Sequence, residues 1–227
     1  MAVTFDAGSS RAASSLSVSS CSWTHAASTT NTYLVIDVVG HTSAAGASGD
    51  SYQATVNTSA ATKLATYLGG TGSTGQCRHT IFGFQLSASG NAAIACSGWS
   101  SAGPVTGMAM SFAGTSGHIS SAAAVGDASG TWQLGLVGAQ SSQMIAGFLS
   151  KGALGVSTGT NVTQPSSVAT ALTGAQGNVL SLYSSGGSSL TIVSASAAAA
   201  GWTMIGVLLS TLAGAVTSSG GMVSWWY

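Results

Sequence analysis

The chain has 227 residues, only 4% of them charged, and its formal net charge is zero. Ordinary domains are about a quarter charged. With Arg11, Lys63, Arg78 and Lys151 as its only bases, the chain lacks both the basic patch that grips nucleic-acid phosphates and the polybasic segment that binds membrane surfaces.

The acids are Asp6, Asp37, Asp50 and Asp127; there is no glutamate, and residues 152–227 hold neither a charge nor a histidine. A free protein of zero net charge tends to associate. Its surface is therefore expected to consist of Ser, Thr, Gly, Asn and Gln, or to be covered by neighbouring subunits. Ser, Gly and Thr abound, but 45% of residues are apolar and they recur periodically, unlike disordered segments. The length suits one large β-sandwich or a compact pair of small domains.

Along the chain, short β-type runs alternate with Gly/Ser/Asn clusters, the pattern of an all-β sandwich or barrel. Residues 3–5 come first, and 15–25 (SLSVSSCSWTH) alternate as one or two strands. Residues 33–39 (YLVIDVV) are the strongest strand, apolar on both faces as in a sheet covered on both sides. Asp37 interrupts this run and must be paired, hydrogen-bonded or outward-facing. Strands are expected at 52–56 and 63–68 around a turn at Asn57-Thr58-Ser59-Ala60. Two more, at 79–86 and 92–97, flank the hairpin signal Ser89-Gly90-Asn91. Met108, Met110 and Phe112 share one strand face, as do Trp132, Leu134 and Leu136. Later strands fall at 143–149, 179–183, 190–193 and 202–209, with a Ser/Gly loop letting 179–183 and 190–193 turn back on each other. Residues 167–174 suggest one short helical turn, and 195–200 have helix propensity but are too short to stand alone. No repeat at a fixed period is evident.

Residues 197–216 are uncharged and long enough to span a bilayer. No Lys or Arg flanks them to set an orientation, and their centre reads as a buried strand. The first residues show no basic, then apolar, signal-peptide pattern. Cys21, Cys77 and Cys96 are too few and too widely spaced for a disulfide framework. Three reduced, buried thiols are expected, with a single bridge as the alternative.

Several motifs tempt. Gly70-Thr-Gly-Ser-Thr-Gly75 has the letters of a dinucleotide fingerprint, but no acid lies between Asp50 and Asp127 to hold a ribose. Gly155-Val-Ser157-Thr-Gly159 has the letters of a nucleophile elbow, but neither acid nor histidine follows it. Cys77 with His79 and Cys21 with His25 have same-face spacing, yet zinc needs four convergent ligands. Asn57 and Asn161 stand in glycosylation sequons and read as turns. No catalytic residue, metal or cofactor is expected. The end of the chain differs: Trp225, Trp226 and Tyr227 follow a Gly220-Gly221 hinge. Aromatic clusters of this kind dominate interface hot spots, so these three are the candidate interface residues.

Five segments in order carry a resemblance. They are Val3-Thr-Phe-Asp-Ala7, Ser22-Trp-Thr-His25, Leu34-Val-Ile-Asp-Val38, Ser111-Phe-Ala-Gly114 and Trp202-Thr-Met-Ile-Gly-Val207. The chain resembles a family of β-sandwich structural proteins of tailed bacteriophages, of the minor-tail, head-decoration or adhesion type. The resemblance spans residues 2–210 and brings no catalytic residue with it. It implies an antiparallel, jelly-roll-like β-sandwich over 1–210; the chain departs from the family in its very low charge and in residues 211–227, which read as a C-terminal arm. It implies location in the virion, with other virion proteins and further copies of the chain as partners and host-surface glycans as further ones. The alternative is a lectin-like carbohydrate-binding module, with Trp99 or Trp132 stacking on sugars.

Overall fold

The structure, a computed structural model, describes residues 2–11, 20–42, 51–69, 76–98, 105–126, 131–135, 143–152, 156–158, 162–172, 175–185, 189–194 and 202–211. The described residues form strands and turns only, and the sheets are antiparallel, as expected of a β-sandwich.

The N-terminal strands are β1 (Thr4–Ser10), β2 (Ser20–Ala27), β3 (Thr32–Thr42), β4 (Gln53–Val56), β5 (Ser59–Ala60), β6 (Thr62–Gly69), β7 (Gln76–Leu86), β8 (Gly90–Ser97) and β9 (Val105–Ala113). They build an inner sheet ordered β1-β9-β3-β7-β6 and an outer sheet ordered β2-β8-β4-β5. The C-terminal strands are β10 (Thr115–Gly126), β11 (Thr131–Gly135), β12 (Met144–Gly152), β13 (Val156–Thr158), β14 (Val162–Leu172), β15 (Ala175–Ser185), β16 (Ser189–Ser194) and β17 (Trp202–Thr211). They build a second inner sheet, β10-β17-β12-β15-β14, and a second outer sheet, β11-β16-β13.

The two halves share one topology. If β5 and β6 count as two parts of a fifth strand, each inner sheet reads first-eighth-third-sixth-fifth and each outer sheet begins second-seventh-fourth, the N-terminal one continuing to the fifth. The likeness reaches single positions: Trp23 stands opposite Ile94 in the β2–β8 ladder, and Trp132 stands opposite Ile192 in the β11–β16 ladder.

The two inner sheets pack face to face. Tyr33, Val35, Val39, Ile81, Met108, Met110 and Phe112 meet Met144, Ala146, Ile205, Val207 and Leu209 in one core. The opposite face of the N-terminal inner sheet covers the outer sheet, with Leu34, Ile36, Val38 and Phe82 against Tyr52, Val56, Ile94 and Cys96. This two-sided cover is why β3 is buried from Thr32 to Gly40, whereas β2 and β8 alternate buried and exposed. The described strands thus form four sheets, three of them packed through these two cores.

Phe5, Phe112 and Tyr183 knit the halves together. Phe5 stacks on Tyr183 with ring centroids 4.5 Å apart, and Phe112 meets both rings edge-on. Pro165 lies on β14, the edge strand of its sheet, at a register shift between Thr163 and Ser166. A residue without an N–H is tolerated there because it breaks no central ladder.

Three local expectations are corrected. Ser89-Gly90-Asn91 does not close a hairpin, because β7 belongs to the inner sheet and β8 to the outer. The connection from β15 to β16 likewise passes between sheets, so those strands do not pair. Residues 167–172 are the end of strand β14, paired along β15, not a helical turn. At the turn after β4, Asn57 and Thr58 adopt φ of 48° and 71°. The Asn57 amide and side-chain oxygen both bond the Ala93 backbone at 2.8 Å.

Candidate functional site

Two buried polar clusters among the described residues lie between sheets. On the inward face of β2, Trp23 and His25 point at β9, where Gly107 and Ser111 face them. The indole fits because Gly107 has no side chain; an added Cβ would sit 2.5 Å from the ring.

A directed chain of hydrogen bonds runs from this indole. Trp23 Nε1–H donates to Ser9 Oγ at 3.1 Å, and Ser9 Oγ lies 2.8 Å from His25 Nδ1. His25 Nε2 lies 2.9 Å from Ser111 Oγ, whose hydroxyl donates to Asp6 Oδ2 at 2.8 Å. An indole can only donate and a carboxylate can only accept, so the proton positions are fixed along the chain. Ser9 donates to Nδ1, and His25 carries its proton on Nε2. Asp6 also accepts from the Ser28 amide at 3.0 Å and the Thr29 hydroxyl at 3.1 Å. Burial pushes the pKa of His25 below the usual histidine range, against the pull of Asp6.

These residue types also make hydrolytic triads, but the order differs. In a triad, histidine sits between serine and acid and takes the serine proton. Here Ser111 sits between His25 and Asp6, its proton is directed at the acid, and the facing His25 nitrogen already carries one. Ser111 is fully buried. The arrangement ties β1, β2 and β9 together.

A second polar pair lies on the other face of the same sheet. Asp37 Oδ2 is 2.7 Å from His79 Nδ1, and both side chains are fully buried. Asp37 faces the core between the inner sheets, on the side of Val35 and Val39. This is the partner its apolar strand required. Burial pushes its carboxyl pKa up, opposed by the charge and hydrogen bond of His79.

No family model matches the chain, and neither a curated protein nor a solved structure does.

The expected interface residues Trp225, Trp226 and Tyr227 lie outside the described residues, as do Trp99, Gly70 to Gly75 and residues 195–200. Trp132 lies on β11 and Ser157 within β13, a strand rather than a nucleophile elbow. The centre of the uncharged 197–216 stretch is β17, with Met204 to Leu209 buried. No described helix is long and apolar enough to cross a membrane. Among the described residues, no three of His, Cys, Asp and Glu gather to hold a metal. Cys21 and His25 do share the inward face of β2, as their spacing suggests. Sequence reasoning missed Ser9, Ser111 and Asp6 as one network. The available signal was Ser111, a lone hydroxyl at the end of the apolar run Met108 to Phe112.

The outward face of the N-terminal outer sheet contrasts with these interiors. It presents Ser20, Ser22, Thr24 and Ala26 from β2, Asn91, Ala93 and Ala95 from β8, and Gln53 from β4. No charged side chain stands among these positions.

Proposed function

We propose that this chain is a structural protein of a tailed-phage particle, displayed on head or tail, that acts by packing against other virion proteins and further copies of itself. The observation that carries this reading is the charge-free outer face of Ser, Thr, Ala, Asn and Gln. A sheet face exposed in a free protein ordinarily carries mixed charges that keep it apart from others. Small side chains lose little conformational entropy when covered, so such a face accepts a close neighbour at low cost. The order of the five sequence segments supports the same reading. So does the use of Asp6, His25, Ser111, Asp37 and His79 in holding strands together, which leaves them no role in turnover.

Localisation in imaged particles tests the proposal. The chain should occupy repeated positions on head or tail, and particles assembled without it should lack that density. Truncation after Thr211 keeps β17 whole and removes the arm bearing Trp225, Trp226 and Tyr227. Loss of incorporation is expected, and normal particles would remove the arm from the mechanism. A purified chain that stays monomeric at high concentration would count against the proposal as a whole.

A carbohydrate-binding module is the second reading. A cleft between β4 and β6 favours it, with Tyr52 and Phe82 at its floor and Gln53, Thr55 and Lys63 around it. Both rings are only 2% exposed, so hydrogen bonds rather than stacking would hold a sugar there. A glycan array without binding removes this reading.

A further inference from the structure

We propose that Cys21 and Cys96 form a dithiol site that a small peroxide oxidises to a cross-strand disulfide, locking β2 to β8. The two residues stand directly opposite each other in the β2–β8 ladder. Each alternates with exposed neighbours, Ser20 and Ser22 on one strand and Ala95 on the other, so both side chains point inward on the same face. Opposed residues of an antiparallel pair have Cα atoms about 4.5–5.5 Å apart. A disulfide spans about 4.4–6.8 Å between Cα atoms, a range that covers directly opposed residues of such a ladder. Both thiols are free and buried, and one hydrogen-bonds the other.

Arg11 distinguishes the two thiols. Its backbone amide is anchored to the Gly107 carbonyl at 2.8 Å. Its Nη1 is buried and has no hydrogen-bond partner, while its guanidinium acts on Cys21 both by charge and by a hydrogen bond. The Cys96 hydrogen bond and then Arg11 hold Cys21 below the usual thiol range despite its burial. The hydrogen bond to Cys21 and burial push Cys96 up. Arg11 hydrogen-bonds Cys21 and not Cys96, which sets Cys21 as the attacking sulfur and Cys96 as the resolving one.

The chemistry balances with hydrogen peroxide as oxidant. The Cys21 thiolate attacks one peroxide oxygen; an S–O bond forms, the O–O bond breaks, and the departing hydroxide takes up the proton that Cys21 released. The Cys96 sulfur then attacks the sulfenic sulfur; the S–S bond forms and the S–O bond breaks. The hydroxyl leaves as water with the Cys96 proton. Two thiols and one peroxide give one disulfide and two waters. Cys21 is 5% exposed and Cys96 2%, so the oxidant proposed is a small peroxide and not a bulky disulfide such as oxidised glutathione. The C-terminal half has the same strand order but no cysteine, so the lock belongs to the N-terminal half alone.

The test treats the folded full-length Cys77→Ser variant with hydrogen peroxide, then denatures, alkylates and weighs it. The expected result is loss of both alkylatable thiols together in a monomer lighter by two hydrogens, reversed by dithiothreitol. Cys21→Ser in the same background should keep its remaining thiol free of any disulfide, and Arg11→Gln should slow closure several-fold. Retention of both thiols, a sulfinic acid on Cys21 alone, or an intermolecular dimer would each overturn the proposal. Closure by oxidised glutathione as fast as by peroxide would overturn the assignment of the oxidant. Should the Cys77→Ser variant fail to fold, peptide mapping of the peroxide-treated, unsubstituted chain takes its place. One cross-linked Cys21–Cys96 pair is then expected, and a bridge to Cys77 instead would overturn the proposal.

Discussion

Asp37 and His79 meet at 2.7 Å in the core between the two inner sheets, although 42 positions separate them in the chain. They stand diagonally across the β3–β7 ladder, where Asp37 is opposite Ile81 and His79 is opposite Val39. Removing one partner strands a buried polar group, at a cost of about 1–3 kcal/mol. Asp37→Ala and His79→Ala should each lower stability by that order in urea unfolding. The double change should cost clearly less than their sum, because the two share one interaction.

The same carboxyl gives a pH dependence. Its folded pKa is raised above the ordinary value of 3.8 by burial, so the folded state holds its proton longer than the unfolded one. Its contribution is therefore most favourable below that ordinary value and is lost as pH rises through the raised one. Asp37→Asn cannot titrate. The stability difference between wild type and this variant should be largest in acid and shrink towards neutrality; a difference that grows with pH would contradict the assignment.

His25 acts in the opposite direction. Burial lowers its folded pKa below the ordinary 6.5, so the unfolded chain takes up the proton first. Its contribution is present above that value and is lost as pH falls through the lowered one. Protonation also puts a second donor against the Ser9 hydroxyl, which must then turn its own proton away. Urea midpoints should fall for the wild type below pH 6.5. The fall should be shallower in His25→Gln, whose amide keeps a donor and an acceptor without titrating.

Gly107 makes room for Trp23. A methyl group there meets the ring at 2.5 Å, and overpacking of this kind costs about 1–3 kcal/mol. Gly107→Ala should lose that much stability. Trp23→Leu, already lacking the ring, should be nearly insensitive to the same change.

The aromatic contact of Phe5 on Tyr183 links β1 to β15. Stacked pairs add about 0.5–1.5 kcal/mol beyond their burial. A double-mutant cycle with leucine at both positions should return a coupling of that size, and a value near zero would show that the rings merely share the core.

Where strands form, and which way most side chains face, is legible in the amino-acid order alone. In SCSWTHAA the buried positions Cys21, His25 and Ala27 follow directly from the alternation, because a pleated strand turns successive side chains to opposite sides. The double-faced apolar run around Asp37 likewise announced a sheet covered on both faces, and a carboxyl that had to be paired, hydrogen-bonded or turned outward. Strand pairing is settled at the tertiary level. Ser89-Gly90-Asn91 has the residues of a hairpin turn yet carries the chain from one sheet to the other, because a turn fixes the local path but not the ladder the next strand joins. That choice is made by contacts between distant segments: β1 with β9, β10 with β17, Cys21 with Cys96, Ser111 with His25. Alternation along a single strand has period two and cannot encode which distant strand will supply the matching face.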